Sequence, residues 1–98
     1  MKRYSKSKMD TFYPMAQADL QYDCIVEISD EALVVKYMHE GKLSEYVGVA
    51  DGPGHYLVSG KGIPATASLH LSEGRILEGS WKEHQQFGMW RIYLEEHE

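Results

Sequence analysis

Five histidines, His39, His55, His70, His84 and His97, and a single cysteine, Cys24, are the side chains of this 98-residue chain best suited to hold a metal or act as nucleophiles. Tight zinc coordination needs three or four such ligands converging, and a strand or helix offers pairs at two- or four-residue spacing. No histidine here has a histidine or cysteine partner at either spacing. They read as scattered surface residues, and no metal is expected. Cys24 sits in the apolar run Cys24-Ile25-Val26 with no cue for a depressed thiol pKa, so it reads as a small buried hydrophobe. Carboxylates such as Glu78 and Glu83 are plentiful, but nothing in their spacing sets up an acid–base pair. Gly60-Lys61-Gly62 lacks both the Walker spacing and a following helix. No catalytic residue and no cofactor is therefore assigned.

Binding is the chemistry these residue types favour. Trp81 and Trp90, in Gly79-Ser80-Trp81 and Gly88-Met89-Trp90-Arg91, can form one wall of an apolar pocket, with indole N–H groups to orient a ligand. Filling the core is the reading that size favours, because so small an interior needs large residues. The segment Asp51-Gly52-Pro53-Gly54-His55-Tyr56 suits a loop at the end of a sheet, presenting His55 or Tyr56. Its glycines also suit a purely structural turn. With Tyr46, these residues make a candidate ligand set of Tyr46, His55, Tyr56, Trp81 and Trp90 for a small apolar or aromatic molecule. The competing expectation is an interaction or oligomerisation module, a homo-oligomer included, that uses an edge strand or an outer patch with Met89 and Tyr93.

Such residues must be positioned by strands. From Tyr22 to Glu95 the chain alternates short apolar-patterned runs with turns rich in Gly and Asp, and no helical period intervenes. The expected strands are Tyr22 to Ile28, Leu33 to His39, Leu43 to Ala50, His55 to Ser59, Ala65 to Leu71, Ile76 to Glu83 and Met89 to Glu95. Short connections make neighbours pair as hairpins, giving an all-β, antiparallel up-and-down meander of about seven strands. Gly48 and Gly79 inside strands favour curvature, and closure into a barrel or half-barrel follows. Residues 1–20 lack a sustained period and read as a flexible N-terminal arm before a domain spanning 21–98.

Apolar pattern also selects register. A three-residue loop Ser72-Glu73-Gly74, with Gly74 left-handed, sets Leu69 opposite Leu77, Ala67 opposite Gly79, Ala65 opposite Trp81 and His70 opposite Ile76. A four-residue loop, His84 to Phe87, sets Trp81 opposite Trp90, Gly79 opposite Ile92 and Leu77 opposite Leu94. The meander, Gly79-Ser80-Trp81 and the late Arg91 resemble the calycin group of lipocalin and avidin-like barrels. The lipocalin Gly-x-Trp lies on the first barrel strand, whereas this one lies on the penultimate strand. The resemblance implies architecture and no ligand.

Charge narrows the partners. Lys2, Arg3, Lys6 and Lys8 give the first eight residues a charge of +4, leaving the other ninety at −9. Such a body repels phosphate backbones, so nucleic acid is not an expected partner. No run approaches the ~20 apolar residues of a membrane helix, so no membrane partner is expected. A lone cysteine and the lack of a signal-like apolar region lead to the expectation of a soluble, cytoplasmic protein.

Overall fold

The computed structural model describes residues 1–73 and 75–95. The expectations for Gly74 and His97 fall outside them. Eight strands follow in chain order: β1 (Lys2–Phe12), β2 (Asp19–Ile28), β3 (Ala32–His39), β4 (Lys42–Ala50), β5 (His55–Gly60), β6 (Ala65–Ser72), β7 (Ile76–Glu83) and β8 (Gln86–Tyr93). Each pairs antiparallel with the next, and β8 pairs with β1 from Lys8↔Tyr93 to Phe12↔Met89, closing the sheet. The all-β meander barrel is what the turn chemistry predicts. At Glu40-Gly41, for instance, both residues have positive φ (51° and 77°) in the two-residue loop joining His39 to Lys42, as a primed hairpin turn requires.

The N-terminal segment corrects the sequence reading. Residues 2–12 are the strand that closes the barrel, not a flexible arm, and the count is eight strands rather than seven. Two register irregularities interrupt its pairing with β2: between Tyr4 and Ser7 the extra residue is in β1 and shifts its parity, and opposite Met9 to Thr11 it is in β2. Its inward set also includes the polar Ser7 and Thr11, both buried. Each is provided for. Ser7 Oγ donates to the Tyr4 carbonyl at 3.1 Å and accepts from the Glu95 N–H at 3.1 Å, while the Thr11 and Tyr22 hydroxyls bond each other. Asp10, also buried, accepts from the Gln21 N–H at 2.8 Å, where Gln21 takes a positive φ of 59°.

Both analysed hairpins differ from the expected register by two residues. In β6–β7 Leu69 faces Gly79, Ala67 faces Trp81, Ala65 faces Glu83 and His70 faces Glu78. In β7–β8 the loop is the two residues His84 and Gln85, so Trp81 faces Gly88, Gly79 faces Trp90 and Leu77 faces Ile92. A two-residue shift keeps every side chain on its face but slides one strand by about 7 Å along the other. The tryptophans are consequently diagonal neighbours, each set against a glycine. That pairing is steric: a Cβ on Gly88 would come 2.7 Å from Trp81 Cζ2 and 2.0 Å from the Phe12 carbonyl oxygen.

The interior is filled by side chains. Leu33, Tyr46, Leu69, Leu77, Ile92 and Leu94 are among the fully buried residues, with Met9, Val26, Val35 and Val58. An eight-stranded barrel encloses just enough space for its own inward side chains.

Because β1 carries two of the eight ladders, removing residues 1–12 is expected to leave an open seven-stranded sheet with exposed edges. Circular dichroism and light scattering should show loss of cooperative unfolding or aggregation, whereas a dispensable arm would leave the urea midpoint unchanged.

Candidate functional site at the tyrosine-lined mouth

Inward positions at one end of the barrel carry aromatic residues. Tyr22 and Tyr37 arrive from β2 and β3, Tyr46 from β4, Trp81 from β7 and Trp90 from β8, while Tyr13 follows β1. They form a connected set. Tyr13 meets Trp81 edge-on (5.7 Å, 81°), Trp81 lies against Trp90 (6.3 Å, 30°), Trp90 meets Tyr37 edge-on (6.0 Å, 82°) and Tyr37 meets Tyr22 (5.8 Å, 65°). Edge-to-face pairs at these separations are the favoured arrangement of aromatic quadrupoles. Except for Tyr46, these rings border a cavity of about 160 Å³, which Thr11, His39, Ser44, Glu83 and Gln86 complete.

Tyr46 lies one layer deeper, fully buried, 4.9 Å from Trp90 and stacked 6.4 Å from Tyr37. Its hydroxyl is buried without a hydrogen-bond partner of acceptable geometry. The other polar atoms are largely committed: Tyr13 donates to Asp19 Oδ2 at 2.8 Å, and Trp81 Nε1 donates to the Met89 carbonyl at 3.3 Å. The Trp81 indole is therefore not free to orient a ligand, contrary to the sequence expectation. Burial, and secondarily the Asp19 carboxylate, pushes the Tyr13 phenol up from 10.0 to about 12. Burial first also raises Tyr22, Tyr37 and Tyr46, and the negative charge of Glu83 adds to the rise at Tyr13, Tyr37 and Tyr46. The mouth is a hydrogen-bonded, neutral aromatic wall in a negative field.

Of the five residues expected to form a site, the structure brings together Tyr46, Trp81 and Trp90. Tyr56 belongs to a different part of the barrel, where its hydroxyl donates to the Ser29 carbonyl at 2.7 Å and it borders a separate depression with Tyr4, Ile28, Leu71 and Leu94. His55 has the opposite parity on β5 and stands outside, its Nδ1 3.1 Å from the Asp51 carbonyl and its Nε2 3.0 Å from Ser68 Oγ. His70 is its cross-strand neighbour, yet among the described residues no three potential ligands converge on a metal position. Tyr13, Tyr22, Tyr37 and Glu83 were not in the expected set. Strand parity carries the signal for two of them: Tyr22 alternates with Cys24, Val26 and Ile28, and Tyr37 with Leu33 and Val35.

A second concavity adjoins the mouth. On the outer face of β5 to β8, a groove of about 710 Å³ has a floor of small residues, Ser59, Thr66, Ser68 and Ser80, between Leu57 on one side and Phe87 and Met89 on the other. Cross-strand pairing runs Leu57, Ser68, Ser80, Met89 and Phe12 in one row. Tyr13 and Trp81 border both groove and mouth, and Gly88, lacking a side chain over the Trp81 ring, also lines the groove.

Two outcomes are expected. Tyr46→Phe removes a buried hydroxyl that has no partner, so stability should be unchanged or rise by about 1 kcal/mol in urea unfolding; a loss beyond that would show the hydroxyl to be bonded in solution. The raised phenols make the second. Above pH 10 the denatured chain releases tyrosine protons that the folded barrel still holds, so their contribution is complete below pH 10 and is lost as pH rises towards 12. Alkaline unfolding should coincide with phenolate absorbance in one transition. No family model, curated protein or solved structure matches this chain.

Proposed function

We propose that the protein is a binding barrel whose site is the aromatic mouth together with the adjoining groove, and that its ligand is a small apolar or aromatic molecule. The observation that carries this reading is the sharing of Tyr13 and Trp81 by the 160 Å³ mouth and the 710 Å³ groove. A mouth of that size takes part of a ligand, since whole small-molecule sites occupy roughly 300–1,000 Å³. The groove supplies the remaining contact, and its apolar sides suit the rest of such a molecule.

The test is tryptophan fluorescence titrated with indoles, alkyl phenols, fatty acids and flavins, with mass followed by light scattering. A saturable change at constant mass that weakens at least tenfold in Tyr13→Ala or Trp81→Phe is the expected result. Emission that no compound alters would count against the reading.

The exposed outer row supports a second reading, self-association. Val49, Leu57, Phe87 and Met89 are 63%, 46%, 59% and 49% exposed, and clustered apolar exposure marks contact surfaces. A two-fold axis could seat the Phe87 and Met89 ridge of each copy in the groove of the other. With the eight strands closed into a barrel, this reading uses the outer apolar surface rather than strand addition. On this reading Met89→Glu converts a dimer to a monomer in light scattering; a wild type that is monomeric at every concentration removes it.

A further inference from the structure

We infer that the mouth binds a methylated ammonium head group, held by the aromatic walls and by Glu83. This rests on the mouth being a ligand site and names the chemistry of the part that enters it.

Charge gives the first argument. The residues lining the mouth include Glu83 but no lysine or arginine. Glu83 is partly buried and has no ion pair among the described residues. His39 also lines the mouth but stands 3.9 Å from the Glu40 carboxylate, so an anion would meet Glu83 with no lysine or arginine to compensate it, whereas a cation supplies the missing charge. The chain's net charge of −5 acts in the same direction at longer range.

Wall chemistry gives the second. Tyr13, Tyr22, Tyr37, Trp81 and Trp90 all border the mouth, and Tyr13 with Trp81, Tyr37 with Trp90 and Tyr22 with Tyr37 meet edge to face at 81°, 82° and 65°. Aromatic faces attract a cation within about 6 Å through their quadrupoles. Three of the hydroxyls at the mouth are bonded within the protein, Thr11 with Tyr22 and Tyr13 with Asp19. A primary ammonium is strongly hydrated and brings three donors needing acceptors. A methylated ammonium brings fewer donors, or none, and presents methyl groups to the rings.

Size gives the third. A cavity of about 160 Å³ equals the liquid volume of about five water molecules, room for a small head group and not for a whole ligand. Tetramethylammonium has one nitrogen and four carbons.

The experiment uses the full chain and follows tryptophan fluorescence and chemical shifts against tetramethylammonium, choline and 3,3-dimethylbutanol, the neutral carbon isostere of choline. Saturable choline binding at least tenfold tighter than the isostere, weakened at least fivefold by Glu83→Gln in a variant with unchanged urea midpoint, is the expected result. Equal affinity for choline and its isostere overturns the cation proposal while leaving the apolar mouth intact. Failure of all three probes, with binding of the uncharged aromatic panel retained, overturns the proposal alone; failure of every probe removes both readings. A peptide carrying trimethyllysine, compared with its unmethylated form and with free choline, distinguishes a protein-borne head group from a free one.

Discussion

The pairing of β1 with β8 is the constraint from which the rest follows. Five residue pairs, Lys8↔Tyr93 to Phe12↔Met89, convert a meander with two exposed edges into a closed cylinder. Closure pairs the backbone of the two outer strands along that stretch and so removes much of the template for edge-to-edge aggregation. It also joins Thr11 and Tyr13, from the start of the chain, to Trp81 and Trp90 near its end. The mouth exists because the first and last strands meet.

Closure explains the glycines against the tryptophans. The residues opposite Trp81 and Trp90 are Gly88 and Gly79, and a Cβ at Gly79 would fall 1.8 Å from the Ser68 carbonyl oxygen. A large ring set against a bare backbone position lets the sheet curve tightly without leaving a void, which suits an interior that must be packed at crystal-like density. Trp81 and Gly88 also line the outer groove, so this packing borders the outer surface as well.

The fold was legible where side chains obey a period of two. Leu33 and Val35, or Tyr56 and Val58, alternate with outward residues, and the turns between strands contain the expected residue types. The first strand was illegible because it breaks that code in two ways: an extra residue between Tyr4 and Ser7 shifts its parity, and Ser7 and Thr11 occupy inward positions through bonds to partners distant in sequence. Register was legible only modulo two. Apolar pattern fixes which face a residue occupies, but turn geometry fixes how far along the partner it lies, and His84 in the left-handed region (φ 55°) permits a two-residue loop that its side chain did not announce.

That two-residue ambiguity accounts for much of what the sequence could not give about the site. Sliding a strand by two residues keeps Trp81 inside but changes the layer it shares, so parity grouped the tryptophans with Tyr56, which borders a different depression. Tyr22 and Tyr37 required the same information, since their inward parity says nothing of depth. His55 failed for a different reason: β5 carries apolar residues on both parities, with Tyr56 and Val58 inward and Leu57 outward beside the groove. A strand apolar on both faces hides its orientation in sequence, and here the outward apolar residue belongs to the surface that continues from the mouth. The aromatic ring around the cavity and the apolar row outside it are thus two consequences of one closed sheet whose inner volume is already spent on its own core.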